Sequence, residues 1–96
     1  MNRSEVLARK PTQIPGFYLE DLDGELLLYN MADTRVFYCN ATASLLWHLA
    51  TGERTVGEIV DLLSAAYADS ASRAQIEEDV VQTLTLLHEH GALSLT

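Results

Sequence analysis

The chain has 96 residues, 48% of them apolar, a single cysteine and a formal net charge of −8 at pH 7. This length suits one domain with a modest core, and the excess of carboxylates disfavours nucleic acid and anionic membranes as partners. One cysteine excludes an intrachain disulfide. With neither a secretory signal nor a membrane-spanning apolar run apparent, we expect a cytoplasmic protein.

Residues 1–16 contain the basic side chains Arg3, Arg9 and Lys10 together with two prolines. Their apolar residues follow no sustained helical or strand period. We therefore interpret residues 1–16 as a flexible N-terminal arm or linker, and we expect the folded domain to comprise residues 17–96.

Three strands are predicted next. The apolar and aromatic runs 17–22 and 25–29 are separated by an Asp-Gly pair, which is typical of a tight hairpin turn. A looser turn leads to residues 35–39, whose β-branched and aromatic content favours a third strand. Alternation places Val36 and Tyr38 on one face of this strand, and the other face carries Arg35, Phe37 and Cys39.

Two helices with clear start signals follow. The side chain of Asn40 can cap a helix that begins at the next residue, and Gly52 provides its stop. Thr55 and Glu58 fit the reciprocal capping box, and the apolar spacing behind them predicts a second helix over residues 56–67.

A third helix is predicted from Arg73 to a stop at Gly91, because Ser72 and Gln75 fit a second capping box. Three antiparallel strands followed by three helices are the elements of a winged helix-turn-helix. The predicted fold class is therefore α+β.

No catalytic residue, metal site or cofactor is predicted. His88 and His90 are two positions apart on a helix, so their side chains diverge by about 200 degrees and cannot share a metal comfortably. Cys39 has no base or positive charge at a spacing that would activate a thiol. We therefore expect a protein that is not an enzyme.

The third strand is the candidate binding edge. An edge strand has unpaired backbone groups, and an extended peptide can add to it as a further strand. If the last helix packs beside this edge, Ile76, Val80 and Thr83 would line a groove for apolar side chains, with Gln75 and Asp79 contacting polar groups. The alternatives are that the aliphatic residues are simply core, and that the edge pairs with a second copy in a homodimer.

The chain resembles the PqqD-like family, small leader-peptide-binding domains that are also called RiPP recognition elements. The resemblance runs over about 80 residues, from position 17 to position 95. It is carried by the order and spacing of these segments: Asn40 with Ala41-Thr42-Ala43, Gly52-Glu53-Arg54-Thr55-Val56 with Glu58-Ile59-Val60, and Asp79-Val80, Leu84, Leu87 and Gly91-Ala92-Leu93.

This resemblance implies a non-catalytic adaptor that binds the leader of a ribosomally made precursor peptide as an added strand. The adaptor then presents the peptide to a modifying enzyme, often a radical SAM protein, or to a leader peptidase. The family places the peptide between the third strand and the third helix, which implies as contacts Val36, Phe37, Tyr38, Cys39, Ile76, Asp79, Val80 and Thr83. The edge argument adds Arg35 and Gln75 to these.

Two features depart from the family pattern. Cys39 stands where an aliphatic residue is more usual, and the basic arm lies outside the pattern. A DNA-binding regulator of the winged-helix type is the alternative function. Against it, the last helix offers Arg73 as its one fixed cation, and its acidic residues 77–79 would repel phosphates.

Overall fold

The computed structural model describes residues 2–23, 25–32 and 36–96. Within these ranges the chain forms four helices and five strands, in the order α1 (Arg3–Ala8), β1 (Pro11–Gln13), β2 (Phe17–Leu22), β3 (Glu25–Asn30), β4 (Val36–Cys39), α2 (Ala41–Leu49), α3 (Val56–Ala66), α4 (Arg73–Glu89) and β5 (Leu93–Leu95). The α+β prediction of a three-stranded sheet followed by three helices is confirmed. A short helix and two short strands are additional.

Strands β2, β3 and β4 form an antiparallel sheet in that order. Tyr18 lies opposite Tyr29 across the first pair, and Tyr29 lies opposite Val36 across the second. The hairpin between β2 and β3 contains Asp23 with a positive φ of 53°, as a tight turn requires. Gly24 of the predicted hairpin pair, and Arg35 of the predicted third strand, lie outside the described residues.

The helices that follow the sheet begin where the sequence predicts. The side-chain oxygen of Asn40 accepts a hydrogen bond from the backbone N–H of Ala43 in the first turn of α2, at 2.8 Å. Thr55 and Glu58 form both bonds of the capping box at α3, at 2.9 and 3.1 Å, and Ser72 accepts a first-turn amide of α4 at 3.2 Å. Each cap satisfies backbone N–H groups that a helix start would otherwise leave unpaired.

The core lies where α2, α3 and α4 meet the inner face of the sheet. Among the described residues, every buried side chain of the core is apolar or is the Cys39 thiol. Ala66 and Tyr67, which the periodicity places on the apolar face of α3, are instead exposed because the helix ends at Ala66. The side chains with almost no exposure include Leu28, Leu46, Val56, Ile59, Val60, Val80, Leu84 and Leu87.

The N-terminal segment differs from the predicted arm. Val6 of α1 is buried, and β1 pairs antiparallel with β5, with Pro11 opposite Leu95. Arg3 also forms ion pairs with two glutamates of α4. The helix is too short to show a period, and the partner of β1 lies at the other end of the chain, so local sequence patterns indicate neither element.

None of the helices in the described ranges has the length and apolar character needed to cross a membrane.

Candidate functional site

β4 forms one edge of the three-stranded sheet. It pairs with β3 from Val36 to Cys39, and its opposite side pairs with no strand in the described part of the chain. The backbone N–H and C=O groups on that side are therefore available to an added strand.

The side chains of β4 alternate as predicted. Val36 and Tyr38 are exposed, Tyr38 to 71%, whereas Phe37 is half-buried and Cys39 is buried. Burial raises the pKa of the Cys39 thiol, which therefore stays protonated at neutral pH and is a poor nucleophile. This strand thus offers its backbone and the inward ring of Phe37 to a ligand.

Helix α4 runs alongside β4 in the opposite direction. The ring of Phe37, near the start of β4, contacts the ring of His90 edge-on at the C-terminal end of α4, with centroids 4.9 Å apart. At the other end of β4, Asn40 shares a cavity with Asp79 and Thr83 of α4. We call the space between the free edge of β4 and this side of α4 the β4–α4 groove.

One cavity lies at each end of the groove, and a third lies beyond it between the helices. An apolar cavity of about 150 Å³ at the start of β4 is lined by Phe17, Leu28, Asn30, Val36, Phe37, His90 and Ala92. A polar cavity of about 260 Å³ beyond its end is lined by Asn40, Thr42, Asp79, Gln82 and Thr83. A third, mainly apolar cavity of about 170 Å³ adjoins it and is lined by Thr42, Leu63, Tyr67, Ser70, Ala71, Ile76, Asp79 and Val80.

The predicted residues of α4 have different positions. Ile76 and Val80 belong to the hydrophobic core, as the alternative interpretation holds, but both also form the wall of the third cavity. Asp79 lines two cavities and Thr83 lines the polar one. Gln75 is exposed in the first turn of the helix and lines none of these three cavities.

Other residues of the groove were missed by the sequence reasoning. His90 lines the apolar cavity, Thr42 and Gln82 line the polar one, and Leu86 is 42% exposed. The sequence does contain a signal for Gln82, Leu86 and His90. Positions 79, 82, 83, 86 and 90 recur at the spacing of one helical face. The sequence does not indicate that this face, next to the buried stripe, borders the edge of the sheet.

Asp79 differs electrostatically from the acidic residues before it. Glu77 and Glu78 are held by Arg3 at 3.0 and 2.8 Å. The side chain of Asp79 forms no hydrogen bond or ion pair with any residue that the structure describes. A bound molecule can therefore contribute a donor to this carboxylate without displacing an internal partner.

In residues 2–23, 25–32 and 36–96, no three histidine, cysteine or acidic side chains are grouped so that they could hold a metal ion. Within these described ranges the groove thus offers backbone groups, apolar cavities and one unpaired carboxylate. Such a set of groups can bind an extended peptide.

Comparison with known proteins adds two kinds of similarity. The model of the family described as "Coenzyme PQQ synthesis protein D (PqqD)" matches residues 25–93. No curated protein sequence matches the chain significantly.

Two solved structures are similar in fold. TbiB1 in complex with the TbiA(beta) leader peptide is 25% identical, with a TM-score of 0.69 over 86% of this chain and 94% of that one. Lasso peptide synthetase B1 complexed with the leader peptide is 19% identical, with a TM-score of 0.73 over 88% of this chain and 98% of that one. At this lower identity the second likeness concerns the fold alone.

Proposed function

The chain belongs to the PqqD family, and from this premise we propose that it is a non-catalytic adaptor that binds the leader of a ribosomally synthesised precursor peptide. The observation that carries the proposal is the unpaired edge of β4 beside a groove with cavities at both ends of the strand. The similar protein TbiB1 has been solved in complex with a leader peptide, which supports the same ligand class here.

The leader adds to β4 as a fourth strand of the sheet. Its backbone bonds to residues 36–39, and alternate side chains, about 7 Å apart, point into the groove. Phe37 and His90 offer the first of these side chains an apolar site, whereas Asp79 and Thr83 offer a polar one further along. Because backbone bonds are independent of sequence, the cavities select which leader binds.

The ten predicted contact residues are given roles on this basis. Residues Val36, Phe37, Tyr38 and Cys39 supply the ladder, and Ile76 and Val80 shape the wall of the inner apolar cavity. Asp79 and Thr83 supply polar contacts, and so does Gln75 from the exposed first turn of α4. Arg35 precedes the described part of β4 and keeps its predicted role as a neighbour of the leader.

The adaptor presents the bound leader to a second protein, either a radical SAM enzyme or a leader peptidase of the same pathway. It forms and breaks no bond itself, which agrees with the protonated, buried Cys39. A homodimer that pairs the two β4 edges would occupy the same backbone groups and would compete with the leader.

DNA binding gains no support from α4. Arg73, its one fixed cation, pairs with Asp61 of α3. The acidic start of the helix is partly neutralised by Arg3 of α1, but Asp79 is left without a partner among the described residues. Such a helix surface repels phosphates.

Proline substitution tests strand addition. Successive N–H groups of a strand point to opposite edges, so of Phe37→Pro and Tyr38→Pro one removes a donor facing β3 and the other removes a donor facing the free edge. The variant that keeps its thermal stability should bind the leader about fivefold more weakly, since one ladder bond contributes roughly 1 kcal/mol.

The matched controls are Phe37→Ala and Tyr38→Ala, which truncate the same side chains but keep the donors. The probe is a synthetic peptide with the leader sequence of the precursor encoded beside this chain, measured by calorimetry. If neither proline variant binds more weakly than its alanine control, the leader does not add to β4.

A further inference from the structure

The face of the three-stranded sheet that points away from the helices is unexpectedly apolar. We call it the outer face. It contains Glu20 and, as its apolar and aromatic side chains, Tyr18, Leu22, Leu27, Tyr29, Val36 and Tyr38. Four of these side chains are at least 46% exposed. An antiparallel sheet that covers a core with one face normally presents polar residues on the other, so an apolar outer face indicates a contact surface.

The residues of the outer face are continuous across the sheet. Tyr18, Tyr29 and Val36 lie opposite one another in a row that crosses all three strands, and the two tyrosine rings are 5.8 Å apart. The adjacent row consists of Glu20, Leu27 and Tyr38. The inward residues between these rows pack against the core instead, so the outer face has no internal partner in the described part of the chain.

The charge of the outer face argues against a second copy as its partner. Glu20 lies within the outer face and accepts a hydrogen bond from the Tyr29 hydroxyl at 2.8 Å. Two copies that met through this face would each bury a Glu20 carboxylate, and each chain has a formal net charge of −8. Aromatic rings beside a carboxylate instead favour an arginine or lysine of a different protein.

The outer face also adjoins the leader site. Val36 and Tyr38 are the outward residues of β4, the strand to which the leader adds, so the outward side chains of a bound leader would extend both rows by one position. A partner that covers the outer face would therefore contact this chain and its bound leader together.

We propose that the outer face is the docking surface for the processing enzyme of the pathway, through an apolar enzyme surface that bears arginine or lysine, and that the bound leader completes this surface. This inference rests on the proposed function. It explains how an enzyme could bind the loaded adaptor more tightly than the empty one without any change in the conformation of the adaptor.

The test uses the full chain, the synthetic leader and the purified modifying enzyme or leader peptidase encoded beside this chain. Tyr18→Ser alters the outer face two strands away from the leader edge. We expect its leader affinity to stay within about twofold of the parent, and the affinity of the enzyme for the loaded adaptor to fall about tenfold or more. Glu20→Lys should weaken the enzyme complex similarly and serves as a second variant if Tyr18→Ser does not fold.

Leu62→Ser is the matched control, because Leu62 is 45% exposed on α3, away from the sheet. The inference is overturned if the enzyme binds the outer-face variants as tightly as the parent, or if the control loses as much affinity. It is also overturned if sedimentation shows a dimer of the parent that Tyr18→Ser disrupts while enzyme binding persists. Failure of the parent to bind the leader would instead contradict the proposed function.

Discussion

Asp79 is the carboxylate that α4 directs into the β4–α4 groove. The two glutamates before it are bound by Arg3 across the surface, whereas Asp79 lines two cavities and is unpaired among the described residues. A carboxylate in this position would favour leaders that carry a hydrogen-bond donor or a cation at the facing position. We therefore propose that the specificity of the groove depends on this residue more than on the overall negative charge.

We expect Asp79→Asn to lower leader affinity about tenfold, because a hydrogen bond to a charged group contributes roughly 1.5–3 kcal/mol. Fluorescence anisotropy with a labelled leader measures the change. Glu78→Gln is the charge-matched control, since Glu78 is occupied by Arg3, and it should change the affinity less than twofold. Equal losses in both variants would indicate long-range attraction by the acidic surface instead of a contact in the groove.

Glu58 gives a second prediction at the residue scale. The backbone N–H of Thr55 donates to its carboxylate and lowers the pKa of Glu58 below the ordinary value of 4.5. The pKa is lower in the folded than in the unfolded chain. The ionised carboxylate therefore stabilises the fold fully at pH values above the ordinary pKa of 4.5. This stabilisation is lost as the pH falls through the folded-state pKa.

Glu58→Gln should therefore be less stable than the parent at pH 7, and the difference should shrink as the pH falls below 4.5. Urea denaturation at a series of pH values measures both. Glu53→Gln, an exposed change just before α3, is the control for loss of charge alone. A difference that stays constant between pH 7 and pH 3 would show that the capping carboxylate has no linkage to folding.

At the scale of elements, α1 packs against the helices, and β1 pairs with β5 near the other end of the chain. Val6 packs into the core, Gln13 donates to the backbone of α2, and α1 lies so close to α3 that a Cβ on Gly57 would be 3.2 Å from a carbonyl oxygen of α1. The contacts of α1 with α3 and of Arg3 with α4 help to hold in place the helix that forms one wall of the groove.

Val6→Ala should lower the free energy of unfolding by about 2 kcal/mol, because it removes buried methyl groups and leaves a cavity. Arg3→Ala should change it by less than about 1 kcal/mol, since its ion pairs are exposed. Urea denaturation distinguishes these values. If Val6→Ala is as stable as the parent, the packing of α1 contributes nothing to the stability of the fold.

The elements that sequence reasoning identified are those with local signals. Asn40, Thr55 and Ser72 cap helices through bonds to residues only three positions away. Sequence reasoning did not predict β1, because its partner β5 lies about 80 residues further along the chain and no local pattern contains that pairing. Ile76 and Val80, which the sequence assigns to the groove, lie in the core and line a cavity between the helices, because the sequence does not fix how α4 is rotated relative to the sheet.

At the scale of the whole molecule, the two functions proposed for the sheet use different parts of it. We propose the edge of β4 as the site for the leader and the outer face as the site for the enzyme that processes it. The helices pack against the sheet and hold the edge of β4 in position. Their side chains line the cavities that we propose as contacts of the leader. The two sites share β4, so substitutions on β2 alter the outer face without changing the residues of the leader site.

The most direct test of leader binding by strand addition is an NMR titration of the isotopically labelled chain with the synthetic leader. We predict that the backbone amide signals of residues 36–39 shift or broaden on binding, together with those of Asp79 and Thr83, while those of β2 stay close to their free positions. Binding without any change at residues 36–39 would contradict the proposal.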